Sequence, residues 1–291
     1  MVKSGHGSYS YAQKQNLTKT IRWAGLFSLL VIVTALLVMP FFWMIITSLK
    51  PMAEVVVYPP RWLPKEIHPD NYIKAWKAAP FGRFYLNSVF TGIVTTVLQI
   101  LFSLFMAYAF VFVKFPGKKH IFSLVLMTMI IPIEMKLIPN YILLSNLNWI
   151  NTYWALIIPP AAHAFPVFVM YQQFKTFPGA LIDSAVVDGA NHLQILLWLV
   201  TPVSTPMLAA VSLVSFVGRW NDYLWPLIVT NKVAMRTLPV GLAYLKDVEG
   251  GVGRWNLLMA ASVFVIIPVL VLFLFTQKQF VSGITKGAVK G

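Results

Sequence analysis

The 291-residue chain contains no cysteine, and only nine of its residues are aspartate or glutamate. Without cysteine there is no disulfide, no thiolate metal site and no cysteine nucleophile. Charge of either sign is scarce. Asp, Glu, Lys and Arg make up 11% of the residues, against about 25% in an ordinary soluble domain. That is too little to coat a water-facing surface, and 58% of the chain is hydrophobic with a mean hydropathy of +0.73. The surface must therefore face lipid or other protein. Also missing is G-x-x-x-x-G-K-[ST], the loop that cradles nucleotide phosphates; Lys118-Lys119 after Gly117 does not make one. The five histidines (His6, His68, His120, His163 and His192) are scattered, with no pair at metal-ligand spacing. The one excess is positive charge, a formal net of +14. A nucleic-acid partner does not follow from it, because Lys and Arg lie between apolar spans rather than on one basic face. Anionic lipid and orientation in the membrane account for the surplus.

A spanning helix needs about 20 mostly apolar residues. Charge-free stretches of that length occur at Trp23–Leu49, Phe84–Val113, Leu137–Phe174, Leu193–Gly218 and Trp255–Gln277. The third is too long for one span and is interrupted by the polar run 145–153, so it divides into helices over 121–143 and 153–174. The predicted fold is an all-α membrane protein with six transmembrane helices. Residues 1–22 form an N-terminal tail, 23–277 the membrane domain and 278–291 a C-terminal tail. The first apolar run is too long for the h-region of a cleaved leader and ends in Lys50-Pro51. Basic residues in the N-terminal tail, the 114–120 loop and the C-terminal tail place both termini inside, whereas the 145–152 loop is uncharged and belongs outside. Two longer outside segments, about 50–83 and 231–254, follow. The first is proline-rich and carries Tyr58, Trp62, Tyr72 and Trp76, which suit the membrane interface; the second carries the glycine-rich tip 250–253.

The segment between the fourth and fifth spans, about 175–202, does more than turn the chain. It reads as a short helix opened by Pro178, broken at Gly189, then a second helix running to Pro202. Asp183 and Asp188 are the only acids on the inner side. Spacing alone leaves two readings open, a solvated amphipathic turn or a surface for a partner. Within the spans, charged residues mark functional candidates because they are costly there. Arg219 and Asp222 stand three apart on one helix face, placed to pair. With Trp220 and Asn221 they form a cluster that either lines a translocation path or makes a contact between subunits. Successive helical residues diverge by about 100°, so Trp220, Asn221 and Asp222 cannot all point one way. Glu134 and Lys136, near the end of the third span, are interfacial or line the same path. His163, among Pro159, Pro160 and Pro166, reads as a packing residue.

The loop 175–202 resembles the cytoplasmic signature of binding-protein-dependent import permeases, E-A-A-x-x-D-G-A followed by x5-F-x-x-I-x-L-P. Asp183, Ser184 and Ala185 stand at E-A-A; Asp188, Gly189 and Ala190 match D-G-A; Leu196 and Leu199 take the F and I positions, Thr201 replaces L, and Pro202 matches P. Asp for Glu and Ser for Ala are departures. The stretch 220–227 (WNDYLWPL) resembles W-N-x-Y-L-W-P of carbohydrate-uptake permeases, and the ending 283–291 resembles the G-x-V-K-G terminus of the six-span maltose-type subunit. The resemblance implies an ATP-binding-cassette importer in the cytoplasmic (inner) membrane of a bacterium or archaeon. It implies a second homologous permease, an ATPase dimer that binds the ATP and Mg, and an external solute-binding protein that delivers a sugar. The loop would be a coupling helix docked on one ATPase, and the tail with Gly287, Val289 and Lys290 would reach between the two ATPases. This chain would hold no cofactor and catalyse no reaction. Glycerol-phosphate-type or acidic saccharide substrates remain open. An ion-coupled secondary transporter would need mid-membrane acids and an inverted repeat; only Asp222 qualifies and no repeat is apparent.

Overall fold

The computed structural model describes residues 6–248 and 254–288, with side chains over 19–245 and 254–277. The described residues are predominantly helical and contain no strand. This follows from the setting, since a lipid-embedded backbone must satisfy its own polar groups and a helix does so within one segment.

α1 (His6–Ser48) is a single long helix whose side chains from Lys19 to Phe42 are all exposed. Only its last turns are buried, at Thr47 and Ser48. There a polar knot ties the chain down. The Asn71 side-chain amide donates to Ser48 O and Lys50 O, both at 2.9 Å, and the Ser48 and Tyr72 hydroxyls meet at 2.7 Å. Lys50, 1% exposed, sets its ammonium over the Trp43 ring and donates to the Arg61 carbonyl. The short α2 (Met52–Val55) and α3 (Asp70–Ala78) lie against the start of the last helix; Tyr72 and Trp76 both meet Phe264 edge-on, and Trp76 stays exposed.

α4 (Phe81–Phe112) is the central post. Its buried face carries Asn87, Thr91, Thr95, Gln99 and Ser103, a polar residue every fourth position. Small and hydroxylated side chains let neighbouring backbones approach closely in lipid, where no hydrophobic effect drives helices together. α5 (Lys118–Met127) and α6 (Ile133–Asn146) make up the third predicted span, but as two pieces: the helix stops over 128–132. Pro132 lacks the N–H to continue the ladder and pushes Ile131 out of helical geometry. The fourth span is likewise divided into α7 (Tyr153–Ala161) and α8 (Ala164–Lys175) at Ala162-His163.

After α9 (Gly179–Val187) come α10 (His192–Gln194), a π-helical stretch (Ile195–Val200) and α11 (Thr201–Val203), continuous with one another. The chain then bends by 83° into α12 (Thr205–Trp220). The run Leu193–Gly218 is therefore not one straight span as its composition suggested. Pro202 and Pro206 flank the bend, and each removes a donor from the ladder. α13 (Leu224–Val229), a 3-10 turn (Val233–Met235), α14 (Leu238–Val248) and α15 (Trp255–Ala288) complete the fold. Among the described residues four helical stretches are long and apolar enough to cross a bilayer, one of them α7 and α8 taken together, or five counting the bent pair; the divided third span is too short in either piece.

Three apolar clusters lie along the bundle. At one end Phe81, Phe84, Trp220, Leu238 and Leu257 join α4, α12, α14 and α15. At the other, Leu104, Tyr108, Met170, Phe174, Ile195 and Val211 join α4, α8 and α12 to the segment before the bend. A smaller group, Leu144, Leu156, Trp225 and Val229, closes α6 and α7 against α13.

Candidate functional site: a capped helix and a cavity at three helix breaks

The loop motif forms a defined cap. Gly189 adopts φ +82°, its N–H donates to Val186 O at 3.0 Å, and the Ala190 N–H donates to Ala185 O at 3.0 Å. This pair of bonds is the Schellman arrangement, in which glycine takes the left-handed position and the residue after it packs back on the helix. Asp-Gly-Ala is thereby explained: Asp188 ends the helix, Gly189 turns it, and Ala190 and Ala185 both pack against the cluster that includes Tyr108 and Phe174. Asn191 then opens the next segment with a reciprocal capping box to Gln194 (2.8 and 2.9 Å). Two caps back to back fix the angle of α9 to the chain that follows.

Only Ile182 and Ala185 of α9 turn inward. Asp183, Ser184, Asp188 and Gly189 are exposed, as are Leu181, Val186 and Val187, the last at 86%. The helix thus presents apolar side chains and two carboxylates away from its own bundle. Pro202 sits in the short helix before the bend. One side-chain hydrogen bond ties this region to the central post, between the Tyr108 hydroxyl and His192 Nδ1 at 3.0 Å.

Towards the other end, the three interruptions converge. The breaks at 128–132, at 162–163 and at 221–223 surround a cavity of about 780 Å³, lined by Thr128 and Pro132 from the first, His163 from the second, and Arg219 and Trp225 flanking the third. Broken helices are tolerated at membrane depth where they line a cavity or are buried in protein. The polar face of α4 supports the breaks. Gln99 donates to Pro160 O at 2.6 Å, the carbonyl beside the gap in the fourth span. The Asn87 amide group donates to Ala234 O and Arg236 O, both at 2.9 Å, and its carbonyl accepts from the Tyr153 hydroxyl at 2.7 Å. Neither asparagine nor glutamine stood out among the apolar runs; the four-residue spacing of polar positions on α4 was the signal that could have found them.

The cluster 219–222 separates by function. Trp220 is 1% exposed, its indole N–H donates to Val265 O at 2.8 Å, and it packs on Phe216 and Tyr85, so it holds α12 against α15. Arg219 and Asp222 form an ion pair at 3.0 Å, and the other Asp222 oxygen accepts weakly from the Trp225 N–H at 3.4 Å, across the break. Asn221 is exposed. Glu134 is exposed at the first turn of α6 and does not line the cavity; Lys136 does, with its ammonium on Thr128 O at 2.8 Å. His163, expected to pack, is exposed and lines the cavity, because the break beside it leaves no helix face to cover it. At the C-terminus Gly287 lies in the last turn of α15, whereas Val289 and Lys290, like the glycine-rich tip 250–253, lie outside the described residues. Among the described residues no group of His, Asp and Glu is arranged to hold a metal.

Residues 99–286 match the family of binding-protein-dependent transport system inner membrane components. The arabinooligosaccharides transport system permease protein AraQ of Halalkalibacterium halodurans is 34% identical over 261 residues, covering 87% of this chain and 91% of that protein. AraQ of Bacillus subtilis is 35% identical over 258 residues, covering 87% and 90%. The sn-glycerol-3-phosphate transport system permease protein UgpE of Yersinia pestis is 34% identical over 207 residues, covering 71% and 74%. In fold the chain is similar to a bacterial ABC transporter involved in the import of the acidic polysaccharide alginate, with a TM-score of 0.76 at 22% identity over 96% of this chain and 100% of that one. The chain therefore belongs to the inner-membrane components of binding-protein-dependent transport systems: a multi-pass permease subunit and not an enzyme.

Proposed function

We propose that this chain is one permease half of an ATP-driven importer of oligosaccharides, with six spans and both termini inside. The spans are α1, α4, α5 with α6, α7 with α8, α12, and α15. Support for the count comes from the two divided helices, each of which reaches spanning length only when its pieces are added. A second, related permease forms the other half of the path, and a separate ATPase dimer binds ATP and Mg. An external binding protein brings the substrate. The names of the AraQ relatives support a saccharide as cargo.

The observation that carries this reading is α9. Its cap orients a helix whose exposed face, Leu181, Val186 and Val187 with Asp183 and Asp188, has no partner in its own bundle. Docked on an ATPase, that face receives the closing motion mechanically, and the capped joint passes it to the segment before α12. The spans then switch between two arrangements around the cavity, a two-state element biased by nucleotide on another subunit. Arg219 lines the cavity, Asp222 pairs with it and Trp220 braces their helix; in this reading Asn221 and Glu134, the latter two residues from Lys136, belong to the edge of the same path. The test is uptake of saccharides, neutral and acidic, into vesicles holding the complete complex. Uptake requiring both ATP and the binding protein is expected; uptake driven by an ion gradient without ATP would overturn the proposal.

A further inference from the structure

The cavity at the three helix breaks is lined by Lys136, His163 and Arg219 and by no carboxylate. Among the described residues the acid beside it, Asp222, is already engaged: one oxygen takes the Arg219 guanidinium at 3.0 Å and the other the Trp225 N–H. The Lys136 ammonium has only the Thr128 carbonyl as partner, and Glu134 on the same helix is exposed and outside the lining. Counting Lys136 and Arg219 against Asp222 leaves one uncompensated positive charge facing the space, before any proton on His163. Such a charge at membrane depth is costly unless a counter-charge arrives. The rest of the wall is apolar, with Phe165, Leu137 and the proline rings, and Asn140 adds an amide.

We infer that this half of the path is built for a saccharide or polyol carrying an anionic group, a carboxylate or a phosphate. Lys136 and Arg219 are its specificity-determining residues: they attract the anion while the apolar wall meets the carbon skeleton. A low-dielectric cleft with one sign of charge focuses its field and raises the local concentration of the opposite sign by tenfold or more. The inference rests on the cavity being the transport path, and its test separates the two.

The chain has no cysteine, so Asn140→Cys puts a single thiol on the cavity wall. In the complete transporter, that thiol is reacted with an anionic (sulfonatoethyl) and a cationic (trimethylammonioethyl) methanethiosulfonate, each rate being divided by that for mercaptoethanol. Modification of this chain is read by mass spectrometry. The anionic reagent should react about tenfold faster, and Lys136→Met or Lys136→Gln in the same background should erase most of that ratio. Digalacturonate, as the carboxylate probe, or glycerol 3-phosphate, as the phosphate probe, should slow labelling where neutral arabinobiose at equal concentration does not; which acid protects identifies the group. Equal rates for the two reagents, or faster cationic labelling, would show that the partner permease supplies the missing carboxylate and would overturn the inference while leaving the path intact. No labelling by either reagent, with or without nucleotide, would overturn the path itself and the inference with it.

Discussion

Gly189 shows how little freedom a single position has. At φ +82° an L side chain collides with its own backbone, at a cost of about 1–2 kcal/mol and more for a β-branched residue. Nothing lies within 4 Å of where its Cβ would be, so the constraint is conformational and not one of space. Gly189→Val should therefore unwind the joint between α9 and α10, leave membrane insertion intact, and abolish stimulation of the partner ATPase by substrate; Gly189→Asn, which tolerates the left-handed region, should keep most of it. ATPase assays on reconstituted complexes decide, and undiminished stimulation in the valine variant would count against the coupling role. Gly241 is the opposite case. Its φ is unremarkable, but a Cβ there would lie 2.1 Å from the Phe84 ring. Gly241→Ala should cost about 1–3 kcal/mol through overpacking, read as a fall of several degrees in the thermal midpoint of the purified complex. Gly179→Ala, where no atom lies within 4 Å, serves as the silent control.

Among the elements, α4 and α9 divide the work. α4 runs unbroken over 32 residues, and its polar face donates to backbone carbonyls beside it, through Gln99 at Pro160 next to the break in the fourth span and Asn87 at the 234–236 turn. α9 is joined to the next segment by two caps; Ala185 packs it against the cluster that includes Tyr108 of α4, and the Tyr108–His192 hydrogen bond ties the following α10 to α4. A rigid post beside a capped lever is an arrangement that can pass on a push. α15 continues as a helix to Ala288, so the C-terminal tail begins in register with the last span rather than as a loose end. Removing 285–291 takes away its final turn and the residues after it. The truncated subunit should still assemble, because its packing against α1, α12 and α14 lies upstream, but coupled transport should fall severalfold. Uptake at the full rate by the truncated complex would show that the tail has no part in coupling.

At the scale of the whole molecule, α1 exposes nearly all of its apolar surface, and Asn221 is exposed beside the Arg219–Asp222 pair; under the proposed function these faces meet lipid or a second permease. Asn221→Ala should raise the transport KM or shift the substrate range while assembly and basal ATPase activity stay near normal. Asp222→Ala should instead lower folded yield, since it strands the Arg219 guanidinium and uncaps α13. Failure of both variants to assemble with the second permease would identify the cluster as a contact between subunits. Several features were legible from residues alone. The length of the apolar runs announced membrane helices, because bilayer thickness sets that length, and Gly189 announced the break in the loop 175–202, because only glycine enters the left-handed region without penalty. The Arg219–Asp222 pair was legible too, since a helix brings positions three apart together. Hydropathy reports composition and not direction, so the 83° bend before α12 and the stops in the third and fourth spans were hidden inside runs that looked continuous. Only the fold could decide that Trp220 faces α15, that His163 and Lys136 face open space, and that three breaks far apart in the chain meet at one cavity. The physical reason is that a side chain's surroundings depend on how each helix is rotated about its axis and which neighbour it meets, and that is settled by packing between segments distant in sequence.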